Sequence, residues 1–457
     1  MPNFANMTFD ELLRPEGYEC DCGRFHGCAL RKLVIGRGVI NQLPEILKEE
    51  GIAHPYLVMD KNTKKAAGDA IMKLLDEAGI AYNAYVFPQE RVEPDEFAVG
   101  QITMNQPTDC DWVMAIGGGS INDVCKMLCR ANGKKLITCG TAPSMDGYAS
   151  NSSSMISAGV KVTIYSVCPE IIVADTEIIA QAPMRMLQSG MGDVVAKYVS
   201  VCDWRISHLI NGEYFCEDVA QMMRTAVKKC VDSAEGYARR DPDAVQAVVE
   251  GLILSGMGMA YAQVSRPASG LEHYFSHIWE MRAFDAGERP DFHGIQVGVG
   301  TLLTLRLYEW LRDVKPNREK ALAHAAAYDF DAWCDEQRRL FPSACEELIE
   351  LERNTHKFEA SYHAKRLEVI LEHWDEIMQI AKEELPERSE LEKVYRMIGE
   401  PMMPKEIGIN LTQMKEALYG SMSIRDKYIC SRLLWDIGEI DEMADKLYEA
   451  IEAAQAE

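Results

Sequence analysis

Short apolar runs alternate with segments of helical spacing along the first 180 residues. The stretches "KLVIG", "PYLVMD", "AYNAYVF", "DWVMAI" and "KKLITC" have the length and apolar content of buried strands. Between them, "INQLPEILKEEG", "KKAAGDAIMKLLDEAG", "PDEFAVGQITMNQ" and "INDVCKMLCRANG" have helical spacing, and several close on glycine. This alternation predicts a parallel sheet with helices on its faces. "SSSMIS", "VKVTIYSV" and "EIIVAD" predict further strands, with a hairpin turn near Ala158–Gly159. Beyond Pro183 the pattern is almost wholly helical. "ALAHAAAYDFDAWCDEQRRLF" and "KRLEVILEHWDEIMQIAKEEL" read as long amphipathic helices. The expected organisation is an N-terminal segment over 1–32, an α/β domain with a parallel sheet over 33–180, and an all-α domain over 181–457, with one boundary near residue 180.

Composition narrows the function classes. A chain of 457 residues exceeds one ordinary core, and 47% hydrophobic with 26% charged residues is the balance of a globular protein. A net charge of -23 repels phosphate backbones, so nucleic acid is not an expected partner. No run of 18 or more apolar residues predicts a membrane span. "MPNFANMTFDELLRPEG" lacks the basic start and apolar stretch of a signal peptide, so a cytoplasmic location is expected. The 14 scattered cysteines then read as reduced, mostly buried thiols.

Candidate chemistry sits in a few places. "AIGGGSINDVCK" sets Gly117, Gly118, Gly119 and Ser120 between a strand and a helix. That is either a seat for a pyrophosphate at a helix N-terminus or simply a tight turn. Asp60 ends the second strand, where a carboxylate can accept from ribose hydroxyls, or cap a turn. His273 and His277 stand four apart in "LEHYFSHIWE" and share a helix face, with His293 following in "FHGIQVGVG". Tyr274 takes the place of the glutamate in H-E-x-x-H, so the group is either a different metal site or a set of core histidines. In "SGMGDVVAKY", Asp193 follows two glycines at an expected helix start and is either an N-cap or a third ligand. "CDCGRFHGC" near the N-terminus carries Cys20, Cys22, His26 and Cys28. One residue between the first two cysteines is tighter than the usual structural zinc spacing, so the stretch is read as a strand or hairpin on the domain edge without metal.

Taken in order and at these separations, "GGGSINDVCK", "TAPSMDGYAS", "SGMGDVVAKY", "SRPASGLEHYFSH" and "FHGIQVGVG" resemble the sn-glycerol-1-phosphate dehydrogenases of the iron-containing alcohol dehydrogenase and dehydroquinate synthase superfamily. "EIGINLTQMKEALYGSMSIRDKYICSRLLWDIGEID" is similar to the C-terminal helices of bacterial members. The resemblance implies an α/β NAD(P)-binding domain followed by a helical, dehydroquinate synthase-like metal domain. It implies Asp193, His273 and His293 as ligands of one divalent ion (zinc, nickel or iron) and His277 as a proton relay. Gly117 to Ser120, Asp123, Thr141 and Ser144 would serve NAD or NADP, and Asp146 would lie at the nicotinamide and substrate. Arg266 would seat the substrate phosphate unless it makes a structural salt bridge, with Lys161 as a second choice. The implied reaction reduces dihydroxyacetone phosphate to sn-glycerol 1-phosphate, a step of phospholipid metabolism, in a dimer or larger homo-oligomer. Glycerol dehydrogenase, dehydroquinate synthase and a non-catalytic nucleotide-binding relative are the rival readings. About a hundred residues, mostly between Tyr308 and Pro401, exceed the archaeal members and carry no motif.

Overall fold

The computed structural model describes residues 3–157 and 160–456. The turn expected at Ala158–Gly159 lies outside the described residues. Six parallel strands form the main sheet, in the spatial order Lys32–Gly36, Ile171–Asp175, Lys135–Gly140, Trp112–Gly117, Tyr56–Asp60, Asn83–Phe87. The continuous apolar runs are explained by burial on both faces. Along Trp112–Gly117, Trp112, Met114 and Ile116 enter one apolar cluster, while Val113 and Ala115 enter the other. A pleated strand turns alternate side chains to opposite faces, so a strand covered twice needs apolar residues at every position. "SSSMIS" and "VKVTIYSV" form a separate antiparallel pair, Ser152–Ser157 with Val160–Tyr165. The N-terminal stretch forms the expected hairpin, Tyr18–Glu19 against Phe25–His26.

The chain divides into two compact units, but not at one cut near residue 180. One holds Met1–Val194 with Glu217–Ser265, and the other holds Val195–Cys216 with Arg266–Glu457. The first unit takes back two helices, Glu217–Asp232 and Pro242–Ala262, because they bury apolar faces within it. Pro242–Ala262 is long and apolar enough to cross a membrane, yet 83% of its 18-residue apolar window is buried. Its composition is that of a core helix. No disulfide links the cysteines among the described residues.

In the first unit, the loop after strand Lys135–Gly140 packs on helix Met184–Val195. A Cβ at Gly190 would lie 1.7 Å from the Pro143 carbonyl oxygen, so only glycine lets the loop lie there. In the second unit, the residues between Tyr308 and Pro401 form six helices, from Arg318–Ala326 to Arg388–Ile398. The two long amphipathic stretches are each broken. Asp329 caps Phe330–Leu340 by accepting the Ala332 N–H at 2.9 Å, and His373 separates Ala360–Glu372 from Trp374–Glu384. A buried ion pair holds these helices to Cys430–Asp436. Arg366 donates to both Asp436 oxygens at 2.8 and 2.9 Å, and Tyr428 adds its hydroxyl at 2.8 Å. Burial pushes the Asp436 carboxyl up, but the hydrogen bond and charge of Arg366, with Arg432 nearby, more than offset it and hold the group below 3.8.

Two stability outcomes follow from this packing. Asp436→Asn strands the Arg366 charge in the interior and lowers stability by about 3–5 kcal/mol. Because the native carboxyl titrates below its unfolded value, it contributes above that value and is lost as pH falls through the folded one. Wild type therefore loses stability more steeply than the variant in melts below about pH 4. Gly190→Ala forces Pro143 off the helix and lowers Tm, whereas Ala323→Gly, at an exposed position inside helix Arg318–Ala326, costs only about 1 kcal/mol through helix propensity. Equal, small shifts for both would refute the close-approach argument.

Candidate active site

Strand Trp112–Gly117 is buried throughout and delivers the chain through Gly118 into helix Gly119–Asn132. A Cβ at Gly117 would come 2.7 Å from that of Ile121, so the turn cannot close on its own helix with a larger residue. At Gly118 a Cβ would meet nothing nearer than the Ser144 hydroxyl oxygen, at 3.5 Å. The first-turn N–H groups, those of Gly119 and Ser120 among them, have no intrahelical acceptor and form the positive end of the helix. The Thr141 N–H donates to the Gly117 carbonyl at 3.1 Å, which aligns the loop Thr141–Gly147 with this turn. Asp60 does end its strand as expected. Its Oδ1 accepts the N–H groups of Asn62 and Thr63 at 2.8 and 2.7 Å, so that oxygen serves as a helix cap.

Asp123 faces away from the turn. Its Oδ2 accepts the Ser154 N–H at 3.1 Å, and Lys126 Nζ lies 4.0 Å from Oδ1. Burial raises the Asp123 carboxyl to about 6, against the charges of Lys126 and Lys161 and the Ser154 hydrogen bond. The buried Lys126 ammonium donates to Ser150 Oγ and the Ser152 carbonyl at 3.2 and 3.0 Å. Asp123, of which a cofactor role was expected, and Lys126 tie the helix to strand Ser152–Ser157. Lys161, opposite Ile156 on the partner strand, supplies charge to Asp123, which accounts for it without a substrate.

Asp193 lies in the last turn of Met184–Val195, not at a helix start, because the glycines before it admit the loop without breaking the helix. It is 1% exposed, and its Oδ2 accepts the Asp146 N–H at 2.9 Å. Asp146 is itself held by the Ser255 hydroxyl, which donates to its Oδ2 at 2.8 Å. The Ser189 hydroxyl donates to the Ser144 carbonyl at 2.8 Å, fixing the loop at Ser144.

In the second unit three imidazoles converge. Helix Leu271–Asp285 carries His273 and His277, and His293 opens helix His293–Leu311. The rings of His273 and His293 are 5.3 Å apart, those of His277 and His293 5.5 Å, and those of His273 and His277 6.2 Å. His273 Nδ1 donates to Glu272 Oε1 at 2.8 Å, which turns Nε2 the other way. His293 Nδ1 meets Ser276 Oγ at 3.0 Å and lies 3.4 Å from Glu280. Glu280 also lies 3.8 Å from His277 Nδ1, and His277, Glu280 and His293 have ligand atoms within 4.8 Å of one another. Burial, with the nearby charges of Arg425 and His293, pulls His277 down to about 3 despite Glu280. His277 is therefore neutral at working pH and is not a group that titrates there. Glu272, Ser276 and Glu280 escape a reading of motifs. Glu272 adjoins His273, and Ser276 and Glu280 stand three and seven residues beyond it, on the same helix face.

Arg266 is surrounded by protein groups. It is 2% exposed, its Nε lies 3.0 Å from Glu213, and its guanidinium donates to the carbonyls of Tyr428 and Asp203 at 2.8 and 3.2 Å. Other cations gather near His277. The charges of Arg425 and Arg266 both act on Tyr274, and burial beside Arg266 and Arg425 pulls Lys427 down to about 7.

A family profile described as iron-containing alcohol dehydrogenase matches residues 34–183. A glycerol-1-phosphate dehydrogenase [NAD(P)+] of Halalkalibacterium halodurans is 36% identical over 295 residues, which are 64% of this chain and 74% of that one. The enzyme of that name from Pyrococcus furiosus is 34% identical over 65% of this chain and 85% of its own. That from Bacillus licheniformis is 27% identical but spans 93% of this chain and 94% of its own, the additional helices included. Among solved structures, a glycerol dehydrogenase from Schizosaccharomyces pombe has the same fold, with a TM-score of 0.59 at 16% identity over 92% of this chain and 91% of that one. With relatives more than 30% identical of which it covers three quarters or close to it, the chain belongs to the glycerol-1-phosphate dehydrogenase family of iron-containing alcohol dehydrogenases.

Proposed function

We propose that this chain is a metal-dependent, NAD(P)-linked sn-glycerol-1-phosphate dehydrogenase, which reduces dihydroxyacetone phosphate and runs in reverse. The observation that carries the reading is the pair of imidazoles His273 and His293, each anchored at Nδ1, in a chain whose relatives bear that name. Asp193, His273 and His293 would hold the ion. A carboxylate and two imidazoles suit zinc, nickel or iron alike and leave positions open for substrate. The donor set fits because each donor is aimed by a second bond: Asp193 by the Asp146 N–H, His273 by Glu272 and His293 by Ser276.

When bound, the ion supplies Lewis-acid stabilisation of charge growing on the substrate oxygen, and the reduced nicotinamide supplies the hydride. The chain's residues do the rest. The N–H groups at Gly119 and Ser120 hold the pyrophosphate, and Asp60 Oδ2 reaches the ribose. Thr141, Ser144 and Asp146, on a loop clamped at both ends, position the nicotinamide. His277, neutral at rest, takes a proton at one nitrogen as it releases one from the other. The phosphate seat moves from Arg266 to Arg425 and Lys427, whose crowded charges an anion relieves.

NAD(P)H oxidation with dihydroxyacetone phosphate, followed on chelated protein resupplied with zinc, nickel or iron, tests the whole. Turnover returns with metal and yields sn-glycerol 1-phosphate, and Asp193→Ala loses about 10²–10³-fold or more in kcat. Turnover on glycerol but not on the phosphorylated substrate would shift the assignment to a glycerol dehydrogenase. Arg425→Met raises KM for dihydroxyacetone phosphate about 10–100-fold and leaves dihydroxyacetone little affected, while Arg266→Met lowers Tm instead. The opposite pattern would return the phosphate seat to Arg266.

A further inference from the structure

The N-terminal hairpin gathers a second group of metal-type donors, separate from the histidine cluster. Cys20 and Cys22 lie in its turn and His26 on its returning strand. The two sulfurs and a ring nitrogen of His26 all lie within 4.8 Å of one another. Cys22 Sγ is 3.2 Å from His26 Nε2. Around a tetrahedral zinc, sulfur–sulfur and sulfur–nitrogen separations are about 3.5–3.8 Å, from bonds of about 2.3 and 2.0 Å. The three atoms already sit near that size.

His26 is prepared as a ligand. It is fully buried, packed edge-on to Phe4 at 5.4 Å and stacked on Tyr261 at 5.9 Å. Its Nδ1 lies 2.8 Å from the Tyr261 carbonyl, which can only accept. Nδ1 therefore carries the hydrogen, and the lone pair is on Nε2, turned to Cys22. Metal-binding histidines are typically fixed in this way, by a backbone carbonyl on the far nitrogen. The helix Glu217–Asp232 completes the donor set. Cys20 Sγ lies 3.5 Å from Asp218 Oδ2 at its first turn. Cys216 is buried and immediately precedes that helix, two residues before Asp218, so covalent continuity carries a third thiol to the helix end that Cys20 meets. Cys28 stands apart: its thiol donates to the Leu30 carbonyl at 3.6 Å, and burial pushes it up to about 12.

We propose that Cys20, Cys22, His26 and Cys216 bind one structural zinc ion as a closed Cys₃His site that staples the N-terminal hairpin to the start of helix Glu217–Asp232. The tight Cys-x-Cys spacing argued against metal while all the ligands were sought within nine residues. That objection falls once the fourth ligand comes from 188 residues beyond Cys28, by the numbering to Cys216. Three thiolates and an imidazole prefer zinc over hard cations and leave no open position, so the site holds structure and not substrate.

Cobalt distinguishes this site from the catalytic one, which has no sulfur ligand. Full-length protein is stripped and reloaded with Co²⁺ alone, and its absorption is compared with that of Cys22→Ser and of His273→Ala. Wild type and His273→Ala are expected to show thiolate-to-cobalt charge-transfer absorption, with one tightly held zinc per chain by mass spectrometry after growth in zinc. Cys22→Ser loses both. A wild-type spectrum with no thiolate charge transfer, or a zinc content unchanged by Cys22→Ser and removed by His273→Ala, would overturn the proposal. Should Cys22→Ser fail to fold, titration of wild-type thiols with a mercurial decides: about one zinc released as the thiols react supports the site, and none released refutes it.

Discussion

The seating of the Pro143 carbonyl on Gly190 is the contact on which the first unit's chemistry depends. It brings the loop Thr141–Gly147 against helix Met184–Val195 with no side chain between them. The Asp146 N–H can then reach Asp193, and the Ser189 hydroxyl can reach the Ser144 carbonyl. The same loop is tied at its start to Gly117 by the Thr141 N–H. The glycine turn and Asp193 are thereby parts of one rigid piece. Placement to a few tenths of an ångström comes from packing on both sides of the loop and not from any strong single bond.

The second unit solves a different problem, that of buried charge. Glu272 is fully buried, and its carboxylate accepts both the Gly270 N–H and the His273 ring. Asp203 beside it accepts the Leu271 N–H at 2.9 Å and the Tyr308 hydroxyl at 2.6 Å. Burial raises Asp203 to about 7, with Glu272 adding to the effect. Carboxylates so placed are tolerated because backbone, hydroxyl and ring donors meet them, and the return is a histidine whose ring is held in place. The helices between Tyr308 and Pro401 follow the same economy of satisfied charge. Arg432 lies 4.2 Å from the centre of the Phe358 ring while Arg366 holds Asp436, so charged residues form part of the packing.

Much of this was legible in the chain. The alternation of apolar runs and helical spacing specified the parallel sheet, since a doubly covered strand has no freedom to be polar. The spacing of His273 and His277 placed both on one face, and the motif order around them led to the family. Segment edges were less legible. Asp329 and His373 end helices that periodicity alone would continue, because a cap is one residue's hydrogen bond and leaves no trace in a repeat.

What the sequence by itself determined was local and periodic: which stretches are strands, where the glycine turn falls, and which histidines share a helix face. The tertiary structure alone decided which polar groups meet across long separations. Arg266 has Glu213 and two carbonyls around it, none of them near it in sequence. Asp123 accepts the N–H of Ser154 on a separate strand. His26 lies four residues from Cys22 in sequence, but it is the distant Tyr261 carbonyl that fixes which ring nitrogen faces the thiol. Residue type and spacing state what a side chain is able to do. Burial and the partner supplied from elsewhere in the fold select which of those capacities is used, because a polar group removed from water takes whichever partner the packing sets beside it.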